Sequence, residues 1–326
     1  MVMVVTGLTS SLGTPLIPQI VHSYGVSLAS AQWVLTISML VGAVASPIIG
    51  RLATPARRRG LLLGVLGVVC LGLLLSTLPF GFAALLIGRA MQGLGIALAP
   101  VVMSIARSEL PAEKILPAIA GLSASALAAA GISFPVASLM AGLGGVPAAY
   151  LTGLALSVGC LVFVWFAIPR SKEQTPSTRI DWIGAVLLSG GVGGLLVLLS
   201  ELRQWEPWLV LIIGLAALML MVGWAFWSLN ATHPLIDLRL AMKPGVRLAN
   251  LLVIVSGTGT FLMIPLVMLA GSDARAAGLP FHFTGFLLIP YSIMSVGGSR
   301  LGVMLQRRLQ ITRAFALDLG HTVKWF

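Results

Sequence analysis

Arg89 stands in the apolar stretch Leu86-Ile87-Gly88-Arg89-Ala90-Met91-Gln92-Gly93-Leu94-Gly95 and is the one basic residue well inside a run long enough to cross a membrane. A guanidinium at that depth costs ~2.5 to 3.5 kcal/mol on insertion scales, so it has to face a wet cavity or a polar partner. It keeps its proton at any workable pH, which limits it to electrostatics and hydrogen bonding. Gln92 and Gly93, one turn on, give that face a polar, small character and favour an interior role. The alternative is an arginine that reaches the outer headgroups or ties its helix to a neighbouring carbonyl.

The acids are Glu109, Glu113, Glu173, Asp181, Glu201, Glu206, Asp237, Asp273 and Asp318, and all fall in gaps, at a segment end or in the tail. His22, His233, His282 and His321 are scattered in the same way. A proton-driven carrier needs a carboxylate or histidine within the membrane, and Glu201 is the nearest candidate, although an ordinary interfacial acid is the safer expectation for it. A membrane-embedded hydrolase would gather a nucleophile and its base at one depth. The chain has no GxSxG and no HExxH, so an enzyme is not expected. Cys70 and Cys160 show no metal or disulfide spacing and are expected to be packing residues. No metal or cofactor is implied. Ser189-Gly190-Gly191-Val192-Gly193-Gly194 lacks the Lys-Ser or Lys-Thr of a phosphate loop and is expected to serve close helix packing.

These residues must be held by helices in lipid. With 58% apolar and 9% charged residues, the chain has too little polar side chain to cover a water-facing surface. Ten segments are each long enough to span a ~30 Å hydrocarbon core: residues 1–19, 29–50, 60–78, 82–105, 116–139, 148–168, 182–200, 208–229, 248–270 and 284–305. Sixteen of the twenty Lys and Arg lie in alternate gaps, among them Arg51, Arg57, Arg58, Arg59, Arg107, Lys114, Arg170, Lys172, Arg239, Lys243 and Arg247. Positive loops stay inside, so those gaps and the N-terminus are expected to be cytoplasmic. Short basic loops at one face also argue against nucleic acid as the reason for the net charge of +11. The sequence suggests a six-helix bundle over 1–168, a cytoplasmic linker over 169–181, two further helices over 182–229, and a partial second bundle over 230–326. A shift of 249 residues lays Arg51-Leu52 on Arg300-Leu301 and Arg58-Arg59 on Arg307-Arg308, a repeat in accord with two related halves.

On these motifs the chain resembles the major facilitator superfamily, and within it the fourteen-helix drug:proton antiporter branch. Leu86 to Gly95 looks like the family's helix-four motif, with its intramembrane arginine at Arg89. Gly50-Arg51-Leu52-Ala53-Thr54 through Arg57-Arg58-Arg59 is similar to the signature loop between helices two and three. Gly131-Ile132-Ser133-Phe134-Pro135 resembles a degraded antiporter motif in helix five. Pro234 to Leu240 and Thr284 to Pro290 resemble the segment after the two additional helices and the start of the tenth. Thr54 stands where the family has Asp, and Thr9 where this branch commonly has an acid.

The resemblance implies an all-α integral membrane protein of the major facilitator type, with about ten transmembrane helices and an incomplete second half. It implies a multi-pass carrier in the cell membrane exporting a small organic compound by alternating access, with protons as a candidate coupling ion. In that scheme Arg89, Gln92 and Thr14 belong to the substrate pathway, and Gly50, Arg51, Thr54, Arg58 and Arg59 guard the cytoplasmic side. Gly131 and Pro135 mark the helix-five crossing, which Phe134 is expected to crowd. Thr54 carries no charge, so the latch attributed to the family's Asp should be weaker. A fourteen-helix carrier would continue for four helices beyond Leu305, so truncation is expected, and a membrane remnant that does not transport is the alternative.

Overall fold

A computed structural model describes residues 1–168, 181–202, 205–232, 234–272, 278, 280–294, 297–298 and 301. The linker 169–180, Arg300, Arg307 and Arg308 of the repeat, and the tail lie outside the described residues. Among the described residues every regular element is helical.

The first span, α1, is Val2–Tyr24. It is a helix over Val2–Ser11, a 3-10 turn at Thr14–Leu16 and a second helix over Ile17–Tyr24. Pro15 and Pro18 account for the break, because neither can donate to the helical ladder. Gly25 ends the helix in the left-handed region at φ 61°. Next, α2 (Leu28–Leu52) is capped by Ser27, whose hydroxyl accepts the Ser30 N–H at 3.0 Å, and α3 is Arg58–Thr77. The fourth span, α4 (Gly81–Glu109), is also divided: helices Gly81–Gly93 and Leu98–Glu109 are joined by i to i+3 bonds through 94–97.

The helix Ala112–Ala167 is continuous by hydrogen bonding but turns back on itself at Gly144 and Gly145, the latter at φ 72°. It therefore supplies two spans, α5 (112–143) and α6 (146–167). The others are α7 (Trp182–Ser200), α8 (Pro207–Asn230), α9 (Pro244–Met268) and the shorter α10 (Gly285–Met294). Among the described residues eight helices qualify as spans by length and apolarity against ten sequence segments. Helices α5 and α6 count as one because they join across two glycines, and α10 is described over only Gly285–Met294.

Helices α1 to α4 and α6 share one buried core, including Leu12, Val34, Leu66, Leu85 and Tyr150, and Ala137 and Ala141 bring α5 into it. Helices α7 and α8 form a hairpin that rests on α2, while α10 packs on α5. Among the described residues, the basic loops after α2, α4 and α8 meet near the end of α6. There Arg58 donates to Ser108 Oγ at 2.8 Å and pairs with Glu109 at 3.6 Å. Arg59 donates to the Trp165 carbonyl at 2.8 Å, and Arg51 to the carbonyl of Pro234.

Candidate functional site

A cavity of about 620 Å³ opens where α1, α2 and α5 face α9 and α10. That volume lies within the ~300 to 1,000 Å³ range of sites for drug-sized molecules. Helices α1 and α2 contribute Ser10, Ser11, Thr14, Leu35, Thr36 and Met39; α5 contributes Leu127, Ala130 and Phe134. The far wall is Ser256, Gly257, Thr260, Phe261 and Ile264 of α9 with Tyr291 of α10. No charged side chain and no histidine lines it among the described residues.

The hydroxyls stand in two rows: Ser10 and Thr14 on either side of the break in α1, and Ser256 with Thr260, four residues apart and so on one face of α9. Several point their protons back to their own helix: Ser10 and Ser11 donate to the Gly7 carbonyl at 2.8 Å each, and Thr36 to the Gln32 carbonyl at 3.3 Å. Those oxygens present lone pairs to the cavity.

Of the residues expected on the substrate pathway, Thr14 lines this cavity, while Arg89 and Gln92 are fully buried outside its lining. Arg89 Nε donates to the Val34 carbonyl of α2 at 2.9 Å. Its Nη1 donates to the Thr9 carbonyl of α1 at 3.1 Å and to Gln92 Oε1 at 2.8 Å. Gln92 in turn donates to Ser76 Oγ at 2.9 Å and to the Gly72 carbonyl at 3.3 Å, both on α3. One arginine thereby ties α1, α2 and α4, and the glutamine adds α3. Thr6 completes the join by donating to the Gly95 carbonyl at 3.1 Å, a group in the break of α4. Close approach permits these bonds: a Cβ at Gly88 would fall 2.4 Å from Ser76 Oγ and 2.5 Å from the Gly72 carbonyl oxygen.

At the helix-five motif the Phe134 ring is accommodated in a contact with Ile264 and Leu288, and α10 still approaches α5 closely: Gly285 backs onto the Phe134 carbonyl, where a Cβ would come within 2.4 Å. Gly131 meets Ser292 of α10 just as closely, a Cβ there falling 1.7 Å from Ser292 Oγ. Pro135 is buried beside them. In the loop motif, Gly50 lies at an open position and Thr54 closes a turn through its backbone, its carbonyl accepting the N–H groups of Arg57 and Arg58 at 2.9 Å each. The arginines of this loop are thus distributed over three neighbours, with Arg59 also stacked 5.5 Å from the Trp165 ring centre.

The fold is that of a polytopic helical membrane protein. The major facilitator superfamily profile matches residues 1–320, and the chain belongs to that family. It is 29% identical over 298 residues to the uncharacterized MFS-type transporter Rv1250 of Mycobacterium tuberculosis, covering 86% of this chain and 48% of that protein. It is 23% identical to the fatty acid resistance protein FarB of Neisseria gonorrhoeae, over 98% of this chain and 64% of that one. With the multidrug export protein EmrB of Haemophilus influenzae the identity is 24%, over 94% and 62% respectively. The chain therefore spans about half to two thirds of the length of these relatives. The crystal structure of PepTSo, a POT family transporter, shares the fold at a TM-score of 0.51 and 16% identity, covering 94% of this chain and 70% of that one.

Proposed function

We propose that this transporter exports a small, largely apolar organic compound that carries no positive charge, and that the cavity between α1, α2, α5, α9 and α10 is its binding site. The cavity itself is the observation that supports this: apolar walls, two rows of hydroxyls and no acid among the described lining residues to receive a cation. The relatives named for multidrug export and fatty acid resistance agree with a cargo of that kind. In this reading 1–168 is the first bundle, 182–229 are two additional helices of the fourteen-helix plan, and 230–326 begins a second bundle. The basic end faces the cytoplasm with the N-terminus, and the two bundles rock about the cavity. Thr14 contacts the cargo, Arg89 and Gln92 hold the wall behind it, and Arg51, Arg58 and Arg59 close the cytoplasmic end. Protons are the candidate coupling ion.

A second reading, a membrane protein that keeps the first bundle without a transport cycle, is favoured by one observation: only 6% of an 18-residue apolar window of α9 is buried by the rest of the protein. Vesicles holding the purified chain separate the two. Gradient-dependent movement of fluorescein that is lost in Ala130→Trp, which fills the cavity, is the expected result. Movement equal to that of empty vesicles overturns export by this chain, and fluorescein binding without movement favours the second reading.

A further inference from the structure

We infer that the cavity selects for anionic cargo because the positive charge of Arg89, neutralised by no carboxylate among the described residues around it, acts through the thin wall at Gly13. This rests on the cavity being the binding site. Arg89 is 0% exposed, so its field is not damped by water at the guanidinium. Its Nε and Nη1 bond only to two carbonyls and an amide oxygen, which orient the group but leave its unit charge in place. Its Nη2 is buried and has no hydrogen-bond partner among the described residues.

That nitrogen lies toward the cavity. A Cβ at Gly13 would fall 3.1 Å from Nη2 and 3.1 Å from Leu35 Cδ2, and Leu35 together with Ser11 and Thr14, on either side of Gly13, lines the cavity. Gly13 and the Leu35 side chain therefore lie side by side against the cation, and Leu35 presents its other atoms to the cavity. The position where an acid would cancel this charge is Thr9, whose carbonyl Nη1 already reaches and whose own hydroxyl is spent on the Thr6 carbonyl at 3.1 Å. A buried, uncancelled cation beside an apolar cavity raises the local concentration of anions and opposes cations.

The test uses the full chain in lipid nanodiscs and three matched probes, 2-naphthoate, 2-naphthol and 2-naphthylmethylammonium, with binding corrected for empty discs. Naphthoate should bind more tightly than the ammonium probe by about tenfold or more, with naphthol between, for a charge acting across a low-dielectric wall. Thr9→Asp should remove the naphthoate advantage, read as the ratio of naphthoate to naphthol affinity, and Thr9→Asn should keep it. If Thr9→Asp does not fold, Gln92→Glu makes the same neutralisation, since Oε1 already accepts from Nη1. Equal affinity for all three probes, with all displaced in Ala130→Trp, overturns the charge selection and leaves the cavity reading intact. An order unchanged by Thr9→Asp or Gln92→Glu also overturns it. Probes that bind Ala130→Trp as well as the parent overturn the cavity reading itself.

Discussion

Helices α1 and α9 are both apolar enough to cross a bilayer, yet 72% of an 18-residue apolar window of α1 is buried within the protein and only 6% of the corresponding window of α9. The difference runs against hydropathy, because α1 is the least apolar of the spans and α8, among the most apolar, is 11% buried. In water the apolar face turns inward. In lipid the solvent is as apolar as leucine, so what marks an inward face is the small and polar residue that lets backbones approach and bond. Thr6, Gly7, Thr9 and Ser11 of α1 are all buried, whereas Leu252, Val253, Ile254 and Val255 of α9 are exposed to the surroundings of the protein.

The sharpest way to break this contrast is to place the same side chain in both regions. Gly88→Leu drives a branched side chain into the Ser76 hydroxyl and the Gly72 carbonyl, and the obstruction is backbone that cannot rotate away. We expect a cost of ~3 kcal/mol or more and no monodisperse peak in size-exclusion chromatography. Gly259→Leu meets nothing within 4 Å, and its elution and unfolding temperature should match the parent's. Equal damage from both would mean that α9 is as tightly packed as α4.

A smaller effect comes from the arginine frame. Arg89→Met keeps the bulk but strips donors from the Val34 and Thr9 carbonyls and from Gln92, three acceptors with no water to replace them. The expected loss is ~2 to 4 kcal/mol, reduced from a full sum because helix carbonyls keep their ladder bonds. Arg239→Met, at an exposed residue that donates to the Leu229 carbonyl, should cost less than ~1 kcal/mol. Thermal unfolding in detergent distinguishes the two.

Much of this contrast was legible from residues alone, though unevenly. The length of the apolar runs located the spans, because about twenty apolar residues are needed for a helix to cross hydrocarbon. Arg89 and Gln92 stood out as polar residues inside a span, and the structure gives them a network of helix ties. The cavity lining was harder to find. Of its hydroxyls only Thr14 was singled out, since Ser10, Ser256, Thr260 and Tyr291 look ordinary until two distant helices face each other. The four-residue spacing of Ser256 with Thr260 on one helix was the available signal. The place of Phe134 was hidden for a related reason: its ring packs on Ile264 and Leu288, more than 100 residues away, and no local pattern couples them.

The join between the regions gives a third, more graded test. Gly285→Ala adds one methyl against the Phe134 carbonyl at the α5 and α10 crossing. Because the obstacle is backbone, Phe134→Ala should not rescue it. We expect a loss of ~1 to 3 kcal/mol from overpacking and weaker probe binding in the cavity, since Tyr291 lies on the displaced helix. Rescue by Phe134→Ala would place the strain in the ring instead.

The smallest effect concerns how the sparsely buried region is held at all. Asp181 accepts the Gly184 N–H at 2.8 Å as the cap of α7, the Trp227 indole N–H of α8 at 2.9 Å and the Leu235 N–H at 3.1 Å. Leu235 is buried with Ala185 and Leu188, and the preceding Pro234 carbonyl takes the bond from Arg51 of α2. One carboxylate thus gathers both ends of the α7 and α8 hairpin and the segment leading to α9, at the basic face and not within the lipid-facing surface. Asp181→Ala should cost about 1 kcal/mol, the usual size of a lost cap, and barely move the global unfolding temperature, because the first bundle's core does not depend on it. Its signature is local: faster proteolysis near Pro234, with Arg51→Ala giving a similar pattern and the double substitution little more than either. A large drop in global stability would instead show that the hairpin and the first bundle unfold as one unit.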